Sequence, residues 1–146
     1  KLARKAHLKN IWVSNGYMTF ETLDLIIPYL DAINVDIKTI DKTKFQKYVG
    51  AADPQYVLDN CQQLVKKGVH LEITTLIVPT VNDDKEQLQD MAKFIHDKLG
   101  PEIPWHLSRY FPAYKMFLSP TSISKLEQAQ EIGQQAGLRY VYLGNV

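Results

Sequence analysis

Asp36 and Lys38 stand two positions apart in "AINVDIKT", Ala32 to Thr39. In an extended strand, residues i and i+2 point to the same side, so these two charges project together while Val35 and Ile37 face the other way. Such a pair can close a strand end as an ion pair. It can also meet a zwitterionic small molecule, the carboxylate taking its amine and the ammonium its carboxylate. Both readings stay open on spacing alone.

Further candidates fall at the ends of other apolar runs: Ser14, Asn15 and Gly16, then Thr74 and Thr75, then His106, Ser108 and Arg109, and finally Gly144 and Asn145. His106 and Ser108 share a strand face, whereas Arg109 faces away unless the strand has already ended. Asn15-Gly16 also reads as a simple turn with a positive φ. Metal chemistry has no support, because His7, His70, His96 and His106 sit in separate elements and no HExxH or CxxC occurs. Glu72, Asp83 and Asp84 invite general-acid chemistry, but "NDD" before a helix is more simply a cap whose charges favour the helix start. Cys61 falls beside Leu58 and Leu64 and reads as a small core residue. "RYFPAYKMF" reads as a loop over a pocket mouth, since its aromatics lack the broad positive groove of a single-strand binder.

The elements that must position these groups alternate. Ile11 to Ser14 is a short strand, followed by a helix capped by Thr19 with Phe20, Leu23, Ile26 and Ile27 as its inner face, ended by Pro28. Ala32 to Ile37 is the second strand. A short helix closed by Gly50 follows, and then a longer one with Asp53 as N-cap, Pro54 at its first position and Gly68 as its stop. Val69 to Pro79 is a long β-branched strand, and the helix after it uses Leu88, Met91, Ala92, Ile95 and Leu99. "PWHLSRYFP" supplies the fourth strand, a helix starts near Thr121 or Ser122, and "LRYVYLGNV" is the last strand. Strand and helix in repeated alternation, with connections long enough for crossovers, predict an α/β fold with a parallel sheet and outer helices.

Length and charge set the bounds. The 146 residues fit one domain, residues 1–146, and fall short of the about 250 of a complete eight-unit barrel. Five strands therefore form either an open sheet or the later part of a barrel. The opening "KLARKAHLKN", with no initiator Met, reads as the last turns of a helix and fits the second option. A formal charge of +1 offers no field to nucleic acid or an anionic membrane, and no apolar segment is long enough for a membrane span. The lone cysteine rules out an internal disulfide and indicates a cytoplasmic setting.

Five segments, "VSNGYMT", "YLDAINVDIK", "LEITTLIVPTVND", "PWHLSRYFPAYKM" and "GLRYVYLGNV", together resemble the radical S-adenosylmethionine (SAM) enzymes. The likeness is to their pyruvate formate-lyase activating enzyme-like branch and, within it, to the radical SAM member of the AmmeMemoRadiSam system. The resemblance implies a partial TIM-like (β/α) barrel formed by the later strands. It implies SAM as cofactor, with Asp36 and Lys38 near its methionine portion, Ser14 and Asn15 lining the same cavity, and Thr74 and Arg109 as further pocket residues. The intact relative would pass an electron from a [4Fe-4S] cluster to SAM, releasing a 5'-deoxyadenosyl radical that abstracts hydrogen from a small-molecule or protein substrate. Activation of a glycyl-radical enzyme is one such use.

The family's CxxxCxxC loop and GGE-like segment do not occur in this sequence. The chain then corresponds to the later portion of a larger enzyme, with no cluster ligands, no catalytic residue and no radical activity of its own, and exposed barrel edges would favour self-association. A noncatalytic SAM- or partner-binding module is the competing reading. An α/β-barrel aldolase, which would need Lys38 as a Schiff-base lysine, is a third.

Overall fold

The computed structural model describes residues 1–146. Its strands are β1 (Ile11–Ser14), β2 (Ala32–Asp36), β3 (His70–Ile77), β4 (Trp105–Arg109) and β5 (Val141–Gly144). All pair in parallel, in the spatial order β1-β2-β3-β4-β5. A doubly wound sheet reverses its strand order at a switch point. Here the order never reverses, so the sheet is an arc of a (β/α) barrel that is not closed, with β1 and β5 as its two edges.

The helices are α1 (Leu2–Lys5), α2 (Phe20–Ile26), α3 (Lys42–Lys44), α4 (Gln55–Lys66), α5 (Lys85–Phe94) and α6 (Ile123–Gln135). Short polar side chains start four of them by accepting an orphan backbone N–H: Thr19 from Thr22, Asp41 from Lys44, Asp84 from Gln87 and Ser122 from Lys125. The expected caps at Thr19 and before the "KEQLQ" helix are therefore present. Single π-helical turns, Phe45–Val49 and Ile95–Leu99, extend α3 and α5. Gly68, at φ +75°, stops α4 where a side chain would be strained. The start of α4 differs from expectation by one residue. Pro54 lies at the boundary and Asp53 Oδ1 accepts from Gln55 N at 3.0 Å, a turn just ahead of the helix.

Alternation along the strands separates two faces. Ile33, Val35, Leu71, Ile73, Ile77, Trp105 and Leu107 are buried beneath the helices, joined there by Leu23, Cys61, Leu64, Ile95 and Leu126. Each such side chain contributes roughly 1.5–3 kcal/mol through burial. Trp105 sits at the centre, its indole N–H donating to Thr75 Oγ1 at 2.9 Å, and α6 approaches closely because its Gly133 has no Cβ to meet Trp105 and Val141. On the other, concave face the residues alternating with these are only partly covered.

Two apolar expectations change. Phe20 is 46 % exposed, and Leu23 alone of α2 is buried, with Ile26 and Ile27 partly buried against the core. The helical reading of the opening segment makes Leu2, Ala6 and Leu8 its apolar contacts, and both leucines are exposed.

Candidate functional site

The concave face carries the polar groups in rows set by register. Asp36, Thr74, His106 and Tyr142 are successive partners across β2 to β5. Partners in a parallel ladder project to the same side, so one row holds a carboxylate, a hydroxyl, an imidazole and a phenol. The ladder continues past Asp36, with Ile37 N donating to Thr74 O at 2.9 Å, and Lys38 emerges on the same side as Asp36. The two form an ion pair through Lys38 Nζ and Asp36 Oδ2. Asp36 Oδ1 is buried and has no hydrogen-bond partner.

Asn15, Asp36 and Lys38 share a cavity of about 90 Å³ with Tyr17, Phe45 and Val49. Asn15 reaches it from the β1–α2 loop, where its Oδ1 accepts from Tyr17 N at 3.0 Å. Gly16 makes that loop possible: its φ is +68°, and a Cβ there would lie 2.7 Å from Val35 Cγ1. Lys38 is held from below by Asn82, whose Nδ2 donates to Lys38 O at 2.7 Å and Leu76 O at 2.8 Å while its Oδ1 accepts from Val78 N at 2.7 Å.

The remaining sequence candidates divide. Thr74 joins the row, its Oγ1 donating to Asn34 Oδ1 at 2.8 Å. Ser14 registers with Val35, a helix-side position, and its Oγ accepts from Gly16 N at 3.1 Å. Arg109 registers with buried Ile77, donates through Nε to Thr121 O at 2.8 Å and lays its guanidinium over Phe111. Beyond it, Tyr110 is buried, while Tyr114 and Phe117 project into solvent at 87 % and 86 % exposure.

Sequence reasoning treated the histidines as unrelated, yet the structure brings two of them to one carboxylate. Glu72 lies 3.2 Å from His70 Nε2 and 2.8 Å from His106 Nε2, and His106 stacks on Tyr142 at 5.4 Å between ring centroids. Partial burial pushes the Glu72 carboxyl up, but the hydrogen bonds and charges of the two imidazoles prevail and hold it below the usual carboxylate range. The alternation His70, Glu72, Thr74 was a visible sign of one polar strand face. The register of β4, which adds His106, was not.

These groups fit one implied cofactor and not the other. The free acceptor Asp36 Oδ1 and the remaining N–H donors of Lys38 offer complementary partners to the amine and carboxylate of an amino-acid moiety, so the cavity edge suits the methionine end of SAM. A three-thiolate cluster has no ligand set here. Cys61 is the chain's only cysteine, lies buried within α4, and burial pushes its thiol up to about 12.

Comparison with known proteins gives the family and the fold. Residues 1–95 match the Radical SAM superfamily. An uncharacterized protein of Methanocaldococcus jannaschii is 40 % identical over 146 residues, covering 99 % of this chain and 43 % of that protein. The (2S)-3-sulfopropanediol dehydratase activating enzyme of Klebsiella oxytoca is 29 % identical over 90 residues, covering 62 % of this chain and 28 % of that protein. Among solved structures, a domain of pyruvate-formate lyase-activating enzyme from Bacteroides vulgatus superposes with a TM-score of 0.85 at 19 % identity, covering 99 % of this chain and 86 % of that one. SuiB of Streptococcus suis bound to S-adenosylmethionine gives 0.73 at 12 % identity, covering 97 % and 34 %.

The chain belongs to the radical SAM superfamily, and its fold is that of a partial radical SAM barrel. It spans less than half the length of these two curated relatives. No helix is long and apolar enough to cross a membrane.

Proposed function

We propose that residues 1–146 form the C-terminal portion of a radical SAM barrel domain and supply the SAM-binding edge of a longer cytoplasmic oxidoreductase. The observation that carries this reading is the unpartnered Asp36 Oδ1 beside the Lys38 ammonium in a cavity shared with Asn15. When bound, SAM is the source of the 5'-deoxyadenosyl radical that such enzymes use for hydrogen abstraction. The part played by this chain is orientation and electrostatics. Asp36 accepts from the methionine amine, Lys38 donates to its carboxylate, and Asn15 and Thr74 complete the polar wall. Ser14 and Arg109 act on the pocket through the loops they brace.

The likeness to a dehydratase activating enzyme supports a finer reading, in which the longer protein activates a glycyl-radical partner. Its substrate is then a protein, with a small molecule as the alternative, and an electron donor serves it, while neither nucleic acid nor a membrane surface is a partner. With one buried cysteine, the 146 residues by themselves bind and do not turn over.

Equilibrium dialysis with labelled SAM tests the pocket. Saturable binding that is lost in Asp36→Asn and Lys38→Ala, with circular dichroism unchanged, is expected; equal binding by both variants would sink the assignment. Anaerobic iron–sulfur reconstitution of the 146-residue chain should yield no 5'-deoxyadenosine, and SAM-dependent turnover would refute the claim that the chain lacks activity on its own.

A further inference from the structure

A second cavity lies outside the concave site. It is a cleft of about 480 Å³ where the β1–α2 loop meets α4, lined chiefly by Tyr17, Met18, Phe20, Glu21, Tyr56 and Asn60. That volume falls within the ~300–1,000 Å³ of small-molecule sites. Tyr17, Phe20 and Tyr56 all leave a third or more of their surface exposed around it. Tyr17 and Tyr56 stand perpendicular, with centroids 5.9 Å apart, and make an aromatic corner.

Asn60 is the second observation. It is only 2 % exposed, and its Nδ2 donates to Gly16 O at 2.9 Å and Met18 O at 2.8 Å, which fixes the amide orientation. Both N–H groups are thereby used, while Oδ1 is buried without a partner. Asn60 lines the cleft, and its unpartnered acceptor is left for a ligand N–H or O–H.

The other features select among donors. Aromatic faces attract cations, and no Lys or Arg lines the cleft. The Glu21 carboxylate occupies the start of α2, and hydrogen bonds from its own backbone N–H and from Thr19 hold it below the usual carboxylate range. An anion would meet that charge. We infer that the Tyr17–Tyr56–Glu21–Asn60 cleft binds a protonated alkylamine, its ammonium donating to Asn60 Oδ1 and facing Glu21 and the rings, and its aliphatic chain lying against Met18 and Phe20. Tyr17 also borders the cavity of Asn15, Asp36 and Lys38, so an occupant of the cleft would bear on the loop that carries Asn15.

The test is a two-dimensional amide NMR titration of the 146-residue chain with n-butylammonium, sodium butyrate and n-butanol. Saturable shifts at Tyr17, Met18 and the Asn60 side-chain amide with the ammonium alone, weakened at least severalfold by Glu21→Gln, are expected. Glu21 is exposed, so that variant keeps the fold, which the unshifted remainder of the spectrum verifies. An equal response to butyrate or butanol, no saturable response to the amine, or undiminished affinity in Glu21→Gln would each overturn the inference.

Discussion

His106 Nε2 lies 2.8 Å from Glu72 Oε2, joining two strands through side chains 34 positions apart in sequence. His70 approaches the other carboxylate oxygen, so Glu72 is held from both sides. The direction of the Glu72 shift sets the pH dependence. A carboxyl whose folded value is depressed adds stability above its unfolded value, and that contribution is lost as pH falls through the folded one. Glu72→Gln should therefore flatten the acid limb of the stability profile. Because the side chain is about a third exposed, solvent screening limits the cost at neutral pH to about 1 kcal/mol. Urea melts across the acid range would show this, and parallel acid limbs for both proteins would contradict it.

Cys61 should resist thiol reagents in the native chain, since burial keeps it neutral with its value pushed up to about 12. In the unfolded chain the thiol ionises near its ordinary value of about 8.5. The native state then loses this contribution to stability as pH rises from there toward the folded value. Maleimide labelling should follow unfolding, and prompt labelling in native buffer would contradict the burial.

Asn82→Ala removes three hydrogen bonds at a buried position beneath Lys38. A cost of about 1–3 kcal/mol is expected. Amide exchange should rise at Val78, whose N–H loses its acceptor, and the Lys38 segment should loosen with it. Unchanged exchange there would show that the loop is held by other contacts.

Strand β1 presents an open edge with Ile11 and Val13 at 68 % and 84 % exposure. Self-association of the 146-residue chain is expected on light scattering, and Val13→Lys should shift it toward monomer. A monomer at high concentration would count against edge pairing.

Legibility in the sequence followed the range of the interactions. Caps, glycine stops and alternation are local, so Thr19, Asp84, Gly68 and the five strands could be read directly, as could the shared face of Asp36 and Lys38. Register is not local. It decided that Glu72 would meet His106 and that Ser14 and Arg109 would register with the helix-side residues Val35 and Ile77. Asn82 read as part of a helix cap, although its side chain reaches back across two loops; only the polar residue following "VPTV" hinted at a turn that needs satisfying.

Because the order β1-β2-β3-β4-β5 matches the chain order, each strand can dock as soon as its own helix has formed, without waiting for a distant segment. Such a sheet grows by accretion at its edges and comes apart the same way. Protection in hydrogen exchange should then peak at β3, which has two strands on either side, and fall outward, so that β1 with its Asn15 loop is released before the Trp105 core yields.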